Sequence, residues 1–170
     1  MKVLSEKIEA NRREYERLLK DDDYTEVRFN PKNGALAAIH RDHRFDPTIG
    51  IFGIPRGDYE RIAFSTLYDY GMCVILNSEI SGYKIKTPEG FLNGKLFDIK
   101  GVEGTGKNNI INNFKGASKK GVESIVFYYH DKTVFSKKQL REGYQFYLRN
   151  SRNKNLQNIY YIVDGKLYAL

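Results

Sequence analysis

The chain has one cysteine and no tryptophan among its 170 residues. Because a disulfide needs two cysteines, an internal disulfide is excluded, and Cys73 lies in an apolar run typical of a buried, unreactive thiol. Apolar runs long enough to cross a membrane are also missing. The first residues are charged throughout, so no signal peptide is expected. These absences predict a cytoplasmic protein, or one delivered into a cytoplasm, with no membrane partner.

Positive charge and aromatic side chains are plentiful. The chain carries 28 Lys and Arg against 21 Asp and Glu, a net charge of +7. A surplus of this size favours a polyanionic partner such as nucleic acid, although it also serves solubility alone. The 41% of hydrophobic residues is enough for a packed core, and the length suits one domain.

The pattern of apolar residues predicts a mixed α/β fold, with a β-sheet flanked by helices. Residues 1–57 are expected to form an N-terminal extension made of a helix, a hairpin and a long loop. Residues 58–170 are expected to form the main domain, with the order α-β-β-β-α-β followed by a closing helix and hairpin. The predicted helices cover 3–20, 58–70, 108–119 and 136–149, and the predicted strands cover 24–29, 35–39, 72–76, 83–92, 95–100, 124–129, 157–163 and 166–169.

Asn93-Gly94 is the strongest local signal, because a two-residue type I′ hairpin turn needs positive φ at both central positions. This turn would pair Leu92 with Lys95 and, three steps further, Glu89 with Asp98. Lys100 lies two residues beyond Asp98 and shares its face. Opposed carboxylates repel, so a divalent cation between them is one explanation. The alternative is an ordinary ion pair in which Lys100 bridges both acids without metal.

The short motifs between Asp58 and Tyr129 resemble those of a known superfamily. They are Glu60, Ala63, Leu67, Gly71, Val74 and Leu76 at family spacing, then Pro88-Glu89, Asn93-Gly94 and Asp98-Ile99-Lys100. This segment resembles the PD-(D/E)xK, or restriction-endonuclease-like, nucleases. More narrowly, it is similar to the C-terminal nuclease domains of CdiA-type contact-dependent inhibition toxins and to related phage and mobile-element proteins. It departs from the family in having Glu89 where Asp is usual.

The resemblance implies a restriction-endonuclease-like αβββαβ core and a hydrolase of phosphodiester bonds, in RNA in preference to DNA. Glu89 and Asp98 would then bind Mg²⁺ or Mn²⁺, and Lys100 would stabilise the attacking water or the phosphate. Glu60 would orient the site from the preceding helix. An immunity or inhibitor protein would be a further partner. Independently, Glu60 shares a helix face with apolar residues, which is costly unless its carboxylate is satisfied, or else it caps the first helical turn.

Two histidines and two acids lie within the seven residues from His40 to Asp46. His40 and His43 are therefore secondary candidates, either as metal ligands or as acid–base groups of a metal-independent RNase that also uses Lys100. A solvated loop is the simpler interpretation. Glu103, in a glycine-rich segment that opens a helix, is close enough in sequence to reach the site.

Basic residues provide the candidate nucleic-acid contacts. Lys107 is the lysine of a near-match to a phosphate-binding loop, in which Asn108 replaces the Ser or Thr that holds Mg²⁺, so an NTPase is disfavoured. The last helix adds Lys137, Lys138 and Arg141, which would follow a phosphate backbone or merely face water. A third kind of function therefore stays open: a catalytically silent module that binds nucleic acid or protein.

Overall fold

The computed structural model describes residues 1–79 and 87–170. Within these ranges the chain forms four α-helices and eight strands. The helices are α1 (Lys2–Leu19), α2 (Arg56–Asp69), α3 (Lys107–Lys119) and α4 (Lys137–Asn150). The strands are β1 (Tyr24–Phe29), β2 (Leu36–His40), β3 (Cys73–Leu76), β4 (Gly90–Leu92), β5 (Lys95–Val102), β6 (Ser124–Tyr129), β7 (Asn158–Val163) and β8 (Lys166–Ala169).

All eight strands form one mixed sheet whose spatial order follows the chain, β1 to β8. The pairs β2–β3, β5–β6 and β6–β7 are parallel, and each is joined by a helical crossover; the other pairs are antiparallel. The predicted order α-β-β-β-α-β is present as α2-β3-β4-β5-α3-β6. The predicted mixed α/β fold is therefore confirmed, and the segment 1–57 adds β1 and β2 to the same sheet.

Alternating side chains divide the core between the two faces of the sheet. Phe97 and Ile99 of β5 pack in the cluster that contains Phe64 and Leu67 of α2. Val102, at the end of the same strand, packs instead with residues of α3 and α4. α1 covers the β1–β3 part of that second face. Asp98 and Lys100 alternate with Phe97 and Ile99, so they lie on the α3 face.

The turn chemistry predicted from the sequence is present. Asn93 and Gly94 have φ values of 50° and 82°, and Asp164-Gly165 forms a similar turn with 53° and 73°. The side-chain oxygen of Ser136 accepts a hydrogen bond from the Gln139 amide, as expected of a helix cap. Each of these turns and caps depends on a few neighbouring residues, so it forms as the sequence predicts.

Several element boundaries differ from the predicted ones. Helix α2 begins at Arg56 after Pro55, not at Asp58. Proline lacks an N–H group, and the first N–H groups of a helix have no acceptor within it, so proline is accepted at this boundary. Asp58 instead lies in the first turn, near the positive end of the helix dipole. Strand β4 begins at Gly90, so residues 87–89 of the predicted strand do not belong to it, and residues 83–86 of that prediction lie outside the described residues.

Strand β5 continues through Gly101 to Val102, although the sequence predicted that it would end at Lys100. A Cβ at Gly101 would lie 2.5 Å from Cδ2 of Tyr59, so the glycine permits the tyrosine ring to pack against the strand. In the described ranges, no helix combines the length and the hydropathy that a membrane crossing requires.

Candidate active site

A cluster of buried polar side chains lies where β3, β4 and β5 meet. The exposed fractions of Glu89, Asp98 and His43 are 7%, 0% and 8%. Strand β4 begins level with Leu76 of β3 and Phe97 of β5. Strand β5 continues beyond Phe97, so Asp98 and Lys100 lie past the first residue of β4 and have no ladder partner there. Charged groups this deeply buried need partners, so their contacts define what the site can do.

The backbone of Glu89 is fixed by hydrogen bonds on both sides. Its N–H donates to the carbonyl of Phe97 over 3.0 Å, and its carbonyl accepts from the N–H of Asn77 over 2.8 Å. The predicted register is confirmed for the three pairs from Leu92–Lys95 to Gly90–Phe97. Glu89 itself precedes the strand, so it is placed beside β5 by these two bonds and not by a ladder pair with Asp98.

Two lysines hold the fully buried carboxylate of Asp98. Lys120 Nζ donates to Oδ1 over 3.0 Å. Lys100 Nζ lies 2.9 Å from Oδ2, as an ion pair without hydrogen-bond alignment, so Oδ2 accepts no hydrogen bond from the part of the chain that the structure describes. Burial would lower the pKa of Lys120, but the charges of Asp98 and Glu89 outweigh it and the pKa is raised. The lysine therefore stays charged, and the buried carboxylate of Asp98 has two ammonium groups beside it.

The ring of His43 lies among carboxylates on the other side of Glu89. Its Nδ1 is 2.7 Å from the carbonyl oxygen of Asn77, so Nδ1 must carry the hydrogen that it donates. Its Nε2 faces Glu60 Oε2 at 3.3 Å and Glu89 Oε2 at 3.8 Å. Burial would lower the pKa of His43, but the bonds to Glu60 and Asn77 raise it overall. A proton or a cation is therefore needed at Nε2.

Glu89 is the most perturbed carboxyl group of the cluster. Burial raises its pKa to about 9, with further contributions from the charges of Glu60, Asp98 and Glu79. Its Oε2 is buried and accepts no hydrogen bond from the described residues. The same electrostatics that favour a proton on Glu89 favour a bound cation.

Three side chains, those of His43, Glu79 and Glu89, each present a ligand atom within 4.8 Å of the other two. Glu79 is half-buried, and burial raises its pKa as well. Imidazole and carboxylate groups in this arrangement can hold a divalent cation. The candidate metal ligands gathered by the structure are therefore Glu89 with His43 and Glu79.

Glu60 lies on α2, in the position from which it was expected to orient the site. It contacts His43, and its helix stripe of Ala63, Phe64 and Leu67 is buried. The alternative interpretation, in which Glu60 caps the first turn of its helix, is wrong because α2 begins four residues earlier, at Arg56.

Glu103 does not join the site, contrary to the prediction. Its carboxylate accepts hydrogen bonds from the Ile51 amide at 2.8 Å, the Arg56 side chain at 2.7 Å and the Tyr59 hydroxyl at 3.2 Å. Partial burial would raise its pKa, but these donors lower it overall. Glu103 therefore anchors the loop before α2 to the end of β5.

Neither His40 nor the predicted nucleic-acid contacts have a hydrogen bond or ion pair with Glu89 or Asp98 in the described part of the chain. His40 stacks edge-on against Tyr24, and its Nδ1 accepts from the Asp42 amide. Lys107 opens α3 whereas Lys120 follows its end, so the 13-residue helix separates them by about 20 Å. The basic residues of α4 that were expected to contact nucleic acid, Lys137, Lys138 and Arg141, are exposed.

Sequence reasoning missed Lys120 and Glu79. Lys120 is 22 residues from Asp98, at the end of a helix, and no spacing rule connects the two. Glu79 follows β3 in a loop without a recognised motif. Lys120 reaches the cluster from the end of α3, and Glu79 reaches it from the loop after β3. Only the folding of the sheet brings these two segments close to β5.

Comparisons with protein-family models, with curated proteins and with solved structures give no match. Function is therefore inferred from the geometry of the cluster and from the motifs that it contains.

Replacing Glu89 by glutamine should stabilise the metal-free protein at alkaline pH. The raised pKa means that folded Glu89 binds a proton more tightly than unfolded Glu89 does. The free energy of unfolding therefore falls as pH rises from 4.5 towards about 9. Glu89→Gln removes this loss, and we expect a gain of at least about 1 kcal/mol at pH 8, since one pKa unit is worth about 1.4 kcal/mol.

The measurement is denaturant unfolding in EDTA at pH 5 and pH 8. Glu16→Gln, at an exposed position of α1, is the control and should change little at either pH. A stability difference between Glu89→Gln and wild type that is the same at both pH values would contradict the raised pKa.

Proposed function

We propose that this protein is a metal-dependent nuclease that hydrolyses phosphodiester bonds, with RNA as the preferred substrate. The observation that carries the proposal is the buried pair Glu89 and Asp98 beside Lys100 and Lys120. Each of the two carboxylates has an oxygen that accepts no hydrogen bond from residues 1–79 or 87–170. Carboxylates supply the oxygen ligands that Mg²⁺ and Mn²⁺ use, and ammonium groups bind phosphate.

The residues present fit a divalent cation at Glu89 and Asp98. When bound, such a cation lowers the pKa of a coordinated water and offsets negative charge on the phosphate. The Lys100 side chain is partly exposed, and its ammonium group, positioned by Asp98, is the group that would contact a substrate phosphate. Lys120 is a second cation at the same carboxylate. Glu60 positions His43, and through it the Glu89 side of the site.

The basic surface supports a polyanionic substrate. Lys107, Lys137, Lys138 and Arg141 are exposed and add to the net charge of +7. Such residues attract a phosphate backbone without reading its sequence. The motif resemblance adds the proposal of a toxin-like RNase of a phage, mobile element or inhibition system, acting in a cytoplasm and neutralised by an inhibitor protein.

Purified protein should cleave RNA or DNA in Mg²⁺ or Mn²⁺, and EDTA should stop the cleavage. Millimolar Mn²⁺ should also raise the melting temperature, because a ligand that binds only the folded state stabilises it. Asp98→Asn should abolish cleavage and reduce this rise in melting temperature. The control Asp22→Asn, at an exposed position beyond α1, should behave like wild type.

Two results would contradict the proposal. Cleavage that survives EDTA but is lost in His40→Ala or His43→Ala would favour the metal-independent RNase, which has less support because the His43 side chain is fully buried. Salt-sensitive binding of nucleic acid without cleavage would favour the catalytically silent module.

A further inference from the structure

The charge around Glu89 is unevenly balanced between its two sides. On the β5 side, Asp98 has two lysine partners at 2.9 and 3.0 Å. On the opposite side, the carboxylates of Glu60, Glu79 and Glu89 surround a single imidazole, that of His43. Among residues 1–79 and 87–170, the negative charge with the fewer cationic partners therefore lies on the His43 side, which is where a cation would be bound most favourably.

The orientation of His43 fits a metal ligand. The carbonyl of Asn77 accepts the Nδ1 hydrogen over 2.7 Å, which leaves the Nε2 lone pair pointing at carboxylates. A backbone carbonyl on the second ring nitrogen is the usual support of a metal-binding histidine, because it fixes the tautomer and the ring plane. Without a cation, the same contacts require a proton on Nε2 and an ion pair with Glu60.

Burial and spacing point to the same place. Both His43 and Glu89 are more than nine-tenths buried, and Glu89 Oε2 accepts no hydrogen bond from the described residues. The ligand atoms of His43, Glu79 and Glu89 lie within 4.8 Å of one another. Shifts of under about 1 Å would bring all three to the 2.0–2.2 Å typical of one bound ion.

We propose that His43, Glu79 and Glu89 bind a transition-metal cation, Zn²⁺ or Co²⁺, in preference to Mg²⁺. Imidazole nitrogen suits these metals, whereas Mg²⁺ prefers sites made of oxygen ligands alone. The inference rests on the proposed function in one respect, since Glu89 is shared with the proposed Glu89–Asp98 site. It assigns the metal of that active site to a different ligand set and to a different class of cation. Binding of the metal can nevertheless be measured without any substrate.

The experiment is titration of the metal-free full chain with Zn²⁺ alone and with Co²⁺ alone, by calorimetry and by visible absorption of Co²⁺. We expect one tight site that millimolar Mg²⁺ does not displace. His43→Ala and Glu79→Gln should weaken metal affinity by about 100-fold or more. Removing a residue that only supports a ligand costs about 10–100-fold, and removing a ligand itself should cost at least the upper end of that range. The control His40→Gln, in the same loop, should retain it.

Circular dichroism and thermal melting establish which variants fold. If His43→Ala does not fold, the test rests on Glu79→Gln, which is expected to fold because Glu79 is only half-buried. Zn²⁺ and Co²⁺ affinities that are unchanged in the folded variants would overturn the inference. Absence of tight binding together with Mg²⁺-dependent cleavage would also overturn it and leave the proposed nuclease intact. Tight binding without cleavage of any nucleic acid would support the metal site and contradict the nuclease.

Discussion

Lys100→Ala should lose most of its nuclease turnover while keeping its metal. The Lys100 ammonium group lies 2.9 Å from Asp98 and is partly exposed, so it can contact a phosphate that the carboxylates cannot. Removing one group that stabilises charge in the transition state typically costs about 10²–10³-fold in kcat. We expect a loss of that size with a nearly unchanged metal affinity, because the lysine is not a ligand.

The control for this variant is Lys95→Ala, an exposed lysine at the start of the same strand, which should retain wild-type turnover. Cleavage rates at saturating substrate, together with metal titration of both variants, make the comparison. Asp98 keeps Lys120 as a partner in Lys100→Ala, so the fold should persist. Loss of metal binding and turnover together would show instead that Lys100 acts only by holding Asp98 in place.

Gly90→Ala should be strongly destabilising and should displace Glu89. An added Cβ would lie 1.9 Å from the carbonyl oxygen of Ile75 and 2.9 Å from its carbonyl carbon. Both atoms belong to the backbone of β3, so they cannot move aside without disturbing the β3–β4 pairing. We expect a loss of about 3 kcal/mol, the upper end of overpacking, and a melting temperature lower by about 10 °C.

Gly104→Ala is the matched control, because a Cβ there meets nothing within 4 Å and the residue has no positive φ. It should melt within about 1–2 °C of wild type, as surface substitutions usually do. The Gly90 variant should also lose metal binding in any fraction that folds, since both backbone bonds of Glu89 lie beside the clash. A melting temperature equal to that of wild type would contradict the close approach of β3 and β4.

Much of the fold could be predicted because its signals are local. The Asn93-Gly94 turn fixes a register within ten residues, and the period of apolar residues distinguishes α3 from β6 without knowledge of their neighbours. The start of α2 was predicted wrongly because Asp58 carries a strong cap signal, while Pro55 fits the helix start equally well. The end of β5 was missed because Gly101 is accepted in a strand only when Tyr59 packs on it.

Three features could be predicted from the linear chain: the mixed fold, the hairpin, and the position of Glu89 and Asp98 on adjoining segments. Turn geometry and side-chain periodicity act over a few residues, so they can be recognised in the linear chain. Other contacts depend on the folded chain. Lys120 pairs with Asp98, and His43 and Glu79 lie beside Glu89. Glu103 binds the loop before α2 and does not join the site. These contacts could not be predicted because they depend on burial and on distances across the sheet. A buried charge needs a partner, and which partner it has depends on the side chains that packing brings near it.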